Sequence, residues 1–194
     1  MYNVSHEWDF APTQKKEVES GLMEMTLQAR LEKLLKAYSH HYDIERDVHT
    51  DEGEYPATAT FYMRDENYAF IKEAVISAYE QYEYLYFYMA EHLDGTSAKE
   101  LLDRTLKAGM SRIKPHKEHK CSYVTLVILA DTMDEEARTL IQKTRFQKNY
   151  RLALHGWMEY HIAAMECSTR SFLSNPAGKE AKKTLEANFS SEVN

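Results

Sequence analysis

The chain has 194 residues, 43% of them hydrophobic, with 24 Lys and Arg against 31 Asp and Glu for a formal net charge of −7. That apolar content supports one domain with its own core and excludes a disordered chain. No run approaches the roughly 20 apolar residues of a membrane-spanning helix, and the start lacks the basic-then-apolar order of a secretory signal, so a cytoplasmic protein with no membrane partner is expected.

The first residues carry no clear period and read as an arm over 1–14, followed by one domain over 15–190. From Lys15 to His40, Met23, Leu27, Leu31, Leu34, Leu35 and Tyr38 recur at steps of three and four, the stripe of an amphipathic helix. Asp51–Pro56 reads as a loop. Ala57–Arg64 then alternates in period two, with Ala57, Ala59, Phe61 and Met63 on one face. A turn at Asp65-Glu66-Asn67 returns the chain through a second strand, Tyr68–Tyr79. Glu80-Gln81 leads into a third, Tyr82–Met89, so the three make an antiparallel meander.

Ser97 with Glu100 is a capping-box pattern for a helix running to about Met110, and Pro115 bars its continuation. Cys121–Ala130 is an almost unbroken apolar run, as in a central strand covered on both faces. Thr132 with Glu135 suggests a second capping box and a helix over Asp134–Phe146. Arg151–Cys167 is the last strand region, with a bulge or break at Gly156. Asn175-Pro176 reads as the N-cap and first position of a final helix reaching Ala187. The order α-β-β-β-α-β-α-β-α predicts an α/β (α+β) fold, a single mixed sheet of about five strands flanked by helices.

The chemistry-bearing residues are few. Cys121 and Cys167 are too few for a disulfide scaffold, and the six glycines form neither GxGxxG nor a Walker A loop. Tyr82, Tyr84, Tyr86 and Tyr88, four of 14 tyrosines, share one face of the third strand. They suit a homodimer interface, a stacking platform for bases, or a face covered by a helix. His116-x-x-His119-x-Cys121 has metal-ligand residue types, but Lys114, Lys117 and Lys120 flank it and oppose a cation, so no metal or cofactor is expected. His155, Glu159 and His161 form a weaker small-molecule site.

Charge is unevenly spread along the chain. Asp43–Asp94 holds thirteen acids against three bases, Arg104–Lys120 six bases against one acid, and Arg138–Arg151 five bases and no acid. Lys143, Arg145, Lys148 and Arg151, just before His155-Gly156-Trp157, suggest a basic pocket floored by Trp157.

The element order also matches the core of restriction-endonuclease-like folds. Their metal chemistry needs an acid followed by Glu-x-Lys on the next strand. Here the third strand has no lysine, and the nearest spacing is Asp94 with Glu118-His119-Lys120, outside that strand. Tyr42-Asp-Ile-Glu-Arg-Asp47, Lys143-Thr-Arg-Phe-Gln-Lys148 and His155-Gly-Trp157 resemble a bacterial domain family of unknown function, over most of the chain. That resemblance implies a bacterial cytoplasmic protein with no catalytic residues to carry over. The expectation is a non-enzymatic interaction or regulatory domain, a homodimer through the tyrosine-rich strand. The alternative is a nucleic-acid-binding protein or degenerate metal-dependent nuclease using the basic second half.

Overall fold

A computed structural model describes residues 25–68 and 75–190. The expected arm over 1–14 and the first part of the expected leading helix lie outside the described residues. The elements are α1 (Leu27–Tyr38), β1 (Asp43–Thr50), β2 (Gly53–Tyr68), β3 (Val75–Leu93), α2 (Gly95–Arg112), β4 (His119–Met133), α3 (Glu135–Lys143), β5 (Gln147–Asn149), β6 (Trp157–Glu166), β7 (Ser171–Ser174) and α4 (Lys179–Phe189). The strands form one mixed 7-stranded sheet in the order β1-β2-β3-β4-β6-β5, with β7 also paired to β6.

The mixed α+β fold stands, with more strands than the sequence suggests. Three short or charged strands, β1, β5 and β7, carry too little apolar pattern to read as strands. β1 is an edge: its charges face outward, and Asp47 at φ 50 is skipped in the pairing between Arg46↔Ala57 and Val48↔Tyr55. Pro56 sits opposite Asp47 with no change of register, at a gap in the pairing to the edge strand where a missing N–H is tolerated. The reversal from β1 to β2 therefore needs only Asp51-Glu52 and not the whole expected loop. The expected turn at Asp65–Asn67 is strand, since Asp65 pairs with Tyr79 and Asn67 with Ser77. β3 likewise runs unbroken through Glu80-Gln81, where only its register to β4 shifts.

β4 pairs in parallel with β3 on one side and β6 on the other. Its residues from Val124 to Ala130 are all buried, as a central strand requires. One face of the sheet packs under α2 and α3 through Tyr84, Tyr86, Leu101, Val124, Leu126 and Tyr160. The other packs under α1 and α4 through Leu31, Leu34, Leu85, Phe87, Val127 and Phe189. Gly109 lets α2 sit close on β4, because a Cβ there would come within 2.3 Å of Val124.

The helix starts differ from the capping boxes read in sequence. Asp94 caps α2, accepting from the backbone N–H of Ser97 at 2.8 Å. Asp134 caps α3 and also accepts from Gly95 N at 3.1 Å, tying the two helix starts together. A carboxylate suits these positive helix ends better than the hydroxyls of Ser97 or Thr132.

The final helix begins after Gly178, so Asn175 is not its cap. Asn175 is buried, and its amide oxygen accepts from Ile162 N at 3.0 Å and Gly178 N at 2.7 Å. Its amide nitrogen donates to the carbonyls of Tyr160 (2.8 Å) and Thr144 (3.2 Å). Asn175→Ala orphans the buried Ile162 N–H, leaves Gly178 N with only the residue-175 carbonyl at 3.2 Å, and should lower stability by about 1–3 kcal/mol in urea unfolding. A loss under about 1 kcal/mol would mean that this side chain does not hold α3, β6 and α4 together.

Candidate interaction site at one end of the sheet

The register brings the starts of β4 and β6 to one end of the sheet, level with the middle of β3 and the second half of β2. Cys121 pairs with Trp157 on one side and Gln81 on the other, and Gln81 pairs with Met63. The loops that enter β4 and β6 therefore lie at this end.

Buried here is one carboxylate. Glu80 is 7% exposed. It accepts from Tyr82 Oη and from Arg64 Nη1, each at 2.8 Å, while His116 Nε2 lies 3.0 Å away. Desolvation pushes its pKa up. Hydrogen bonds from Tyr82, Tyr62 and Arg64 and the charge of His116 outweigh that and hold it below the ordinary carboxylate range. Arg64 also pairs with Glu118 at 3.0 Å, so β2, β3 and the loop before β4 meet in one ion network. Beside it, His119 Nδ1 donates to the carbonyl of His155 at 2.7 Å and His119 Nε2 lies 2.8 Å from Ser122 Oγ. That bond fastens the loop before β6 to the start of β4.

The loop itself, Tyr150–Gly156, is strained. Arg151, Leu152 and Ala153 hold three consecutive positive φ values of 47°, 55° and 68°. Left-handed backbone costs about 1 kcal/mol for each residue carrying a Cβ. Four backbone hydrogen bonds close the loop: Tyr150 N to Gly156 O, His155 N to Tyr150 O, Leu154 N to Arg151 O, and Gly156 N to Ala153 O. Gly156, at φ 73°, lies against the carbonyls of His119 and Lys120, where a Cβ would come within 2.4 Å of both. The result of this conformation is that Leu152 is 96% and Leu154 76% exposed.

The other large hydrophobic side chains that stand out into solvent among the described residues are Tyr62, Met63 and Tyr79. They sit at this same end. Exposed Lys114, Lys117, Lys120, Lys148 and Arg151 surround it. At the opposite end, the exposed charges near the ends of β3 and β4 include Glu91, Asp131, Glu135 and Glu136. A cavity of about 730 Å³ opens there between the start of α1 and Met89, Glu91 and Asp131.

The residues singled out in sequence fall as follows. α2 covers the tyrosine ladder: Tyr84 is 7% and Tyr86 1% exposed, with the Arg112 guanidinium 4.4 Å from the Tyr84 ring centre. Tyr82 and Tyr88 are half-buried at its two ends. Lys143, the last residue of α3, and Arg145 just after it are exposed, and Lys148 lies 5.5 Å from the Tyr150 ring centre. Lys148 pairs with Met158, on the α2 side of the sheet, whereas Trp157 packs on Tyr123 on the other side. Lys148 and Trp157 thus lie on opposite faces of the sheet.

His161 stacks on Tyr123 at 4.7 Å and meets Glu159 at 3.3 Å, without His155, which belongs to the loop. Among the described residues, no three His, Cys, Asp or Glu side chains are placed to hold a metal ion. Asp94 caps α2 at the far end of β3, while Glu118 precedes β4. With Glu80 opposite His119 and Leu93 opposite Met133, the two lie roughly 40 Å apart along the strands and cannot share a metal.

The sequence profile of a domain family described as a domain of unknown function (DUF8052) matches residues 26–187. The chain belongs to this family. No curated protein and no solved structure matches it, so the likeness to restriction-endonuclease-like folds rests on element order alone. The DUF8052 region contains every residue of the end described above. The exposed Leu152 and Leu154 were missed in sequence because a lone leucine in a mixed segment reads as core.

Two outcomes test this account. Glu80 and Glu166, whose hydrogen bonds from Thr169, Met133 N and Arg138 overcome its desolvation, both have lowered pKa values. Each contributes stability that is fully present above the unfolded value near ~4.3 and is lost as pH falls through the lowered folded value. Urea midpoints should fall below pH ~5, and Glu80→Gln should be less stable at pH 7 with a shallower acid slope. An unchanged slope would remove Glu80 from the network. Separately, Leu152→Gly should leave stability unchanged or raise it by up to about 1 kcal/mol, and Leu152→Ile should lower it. A loss on Leu152→Gly would disprove the strained loop.

Proposed function

We propose that the chain is a non-enzymatic interaction domain that binds an anionic partner through the end of the sheet carrying the Tyr150–Gly156 loop. One observation carries this reading: the exposed apolar side chains and the loop lysines and arginines share that end, while exposed Glu91, Asp131, Glu135 and Glu136 lie at the other. Exposed apolar side chains ringed by one sign of charge mark an interaction surface. Two acids of this end, Glu80 and Glu118, are paired with Arg64, which leaves exposed Asp65 against five surrounding exposed bases.

A nucleic acid is the second reading, favoured by Tyr62 and Tyr79, whose exposed rings beside bases suit stacking. Self-association through the tyrosine ladder has less support, because α2 occupies most of that face.

An acidic protein of net charge −7 has no general reason to bind a polyanion. The chain should nevertheless be retained on immobilised heparin at low ionic strength and released by salt. The double substitution Lys148→Glu, Arg151→Glu should elute near the void, whereas Lys99→Glu near the start of α2, at the opposite end, should not change elution. Flow-through of the unsubstituted chain at about 20 mM salt would overturn the proposal.

A further inference from the structure

Leu152 and Leu154 lie at the tip of a convex loop, and neither a phosphate backbone nor a base edge gives a leucine anything to bury against. A protein partner would need a pocket shaped to receive them. A lipid bilayer needs none, because its headgroup layer accepts any convex apolar tip. Four backbone N–H groups of the loop are satisfied within it, so moving the tip out of water leaves fewer polar groups unpaired. The bases around it match an anionic surface: Arg151 within the loop, Lys148 just before it, and Lys120 in the segment against which Gly156 packs.

Resting on the reading that this end binds an anionic partner, we propose that Tyr150–Gly156 docks the domain on an anionic lipid bilayer. Leu152 and Leu154 enter the headgroup region, and Lys120, Lys148 and Arg151 meet lipid phosphates. Stable attachment needs two weak signals together, apolar insertion and charge, and this loop supplies both. The expectation of no membrane partner was drawn from the lack of a spanning segment, and no helix of the described residues is long and apolar enough to cross. A peripheral contact requires no such helix. The left-handed backbone contributes by fixing the two leucines outward, so that little ordering remains to be done on contact.

The test is co-sedimentation of the full chain with vesicles. Vesicles of phosphatidylglycerol and phosphatidylcholine at about three to seven should bind it, vesicles of phosphatidylcholine alone should not, and about 0.5 M salt should release it. Leu152→Ala with Leu154→Ala should weaken vesicle binding about tenfold or more while leaving heparin retention unchanged. Both side chains are exposed, and circular dichroism of the double variant should match the parent. Retention on heparin without vesicle binding would overturn the bilayer inference and leave the anionic-partner reading intact. Binding to single-stranded RNA alone would also overturn it, as would vesicle binding that ignores the leucines. Failure on both heparin and vesicles would remove the underlying reading as well.

Discussion

The parallel pairing of β4 with β3 and β6 is the constraint from which the rest of this structure follows. A parallel pair cannot be joined by a tight turn, so each connection must leave the end of one strand and return to the start of the next. α2 makes that return between β3 and β4, and α3 between β4 and β6. Both successive strands are added in the same direction across the sheet, so crossovers of one hand lay both helices on one face. That face is the one carrying Tyr84 and Tyr86, and the burial of the tyrosine ladder is a consequence of topology. The opposite face is left to α1 and α4, the helices at the two ends of the described chain.

The same pairing places every return loop at one end. The segments before β4 and β6 must turn there, and both have to be held against strands that are buried on both faces. Two polar devices do this. The Glu80 network joins β2, β3 and the loop before β4, and the His119–His155 bond joins the start of β4 to the loop before β6. A buried carboxylate is tolerable only because several donors reach it together, since desolvation alone would drive it toward the neutral form. Rigid anchoring of the loop base is what allows three left-handed residues to persist at its tip. A flexible loop of the same sequence would relax, and Leu152 and Leu154 could fold back against the sheet.

Much of this architecture was legible in the sequence because the signals were those of burial. The apolar run Cys121–Ala130 marked the central strand, and the heptad-like stripe through Leu27, Leu31 and Leu34 marked α1. The failures were of a different kind. β1 reads as a charged stretch because an edge strand must repel other edges, so it keeps its charges outward. β3 was divided at Glu80-Gln81 because a buried glutamate looks like a loop residue until its partners, distant in sequence, are known. Asn175 looked like a cap because three of the four backbone groups it serves belong to β6 and to the segment after α3, distant in sequence. The candidate site was half legible. Arg151 and Lys148 were visible as bases, but the separation of Lys148 from Trp157 depends on which face of a strand each occupies, and that follows from the register with β6.

Charge shows how the constraint converts sequence order into spatial order. The net charge of −7 is a sum over a chain in which acids dominate Asp43–Asp94 and bases dominate Arg104–Lys120 and Arg138–Arg151. The acidic stretch is drawn out along the length of β1, β2 and β3, so its charges are distributed over an edge and both ends. Each basic stretch ends at or just before the start of a parallel strand, β4 or β6. Parallel strands start at the same end, and the ends of two stretches separated by most of β4 and the start of α3 are brought side by side. An antiparallel arrangement of the same elements would have sent them to opposite ends and cancelled the asymmetry. The basic end is therefore a property of strand direction, invisible in net charge, and it places Lys120 and Arg151 on either side of the seam between β4 and β6 where the loop leucines emerge.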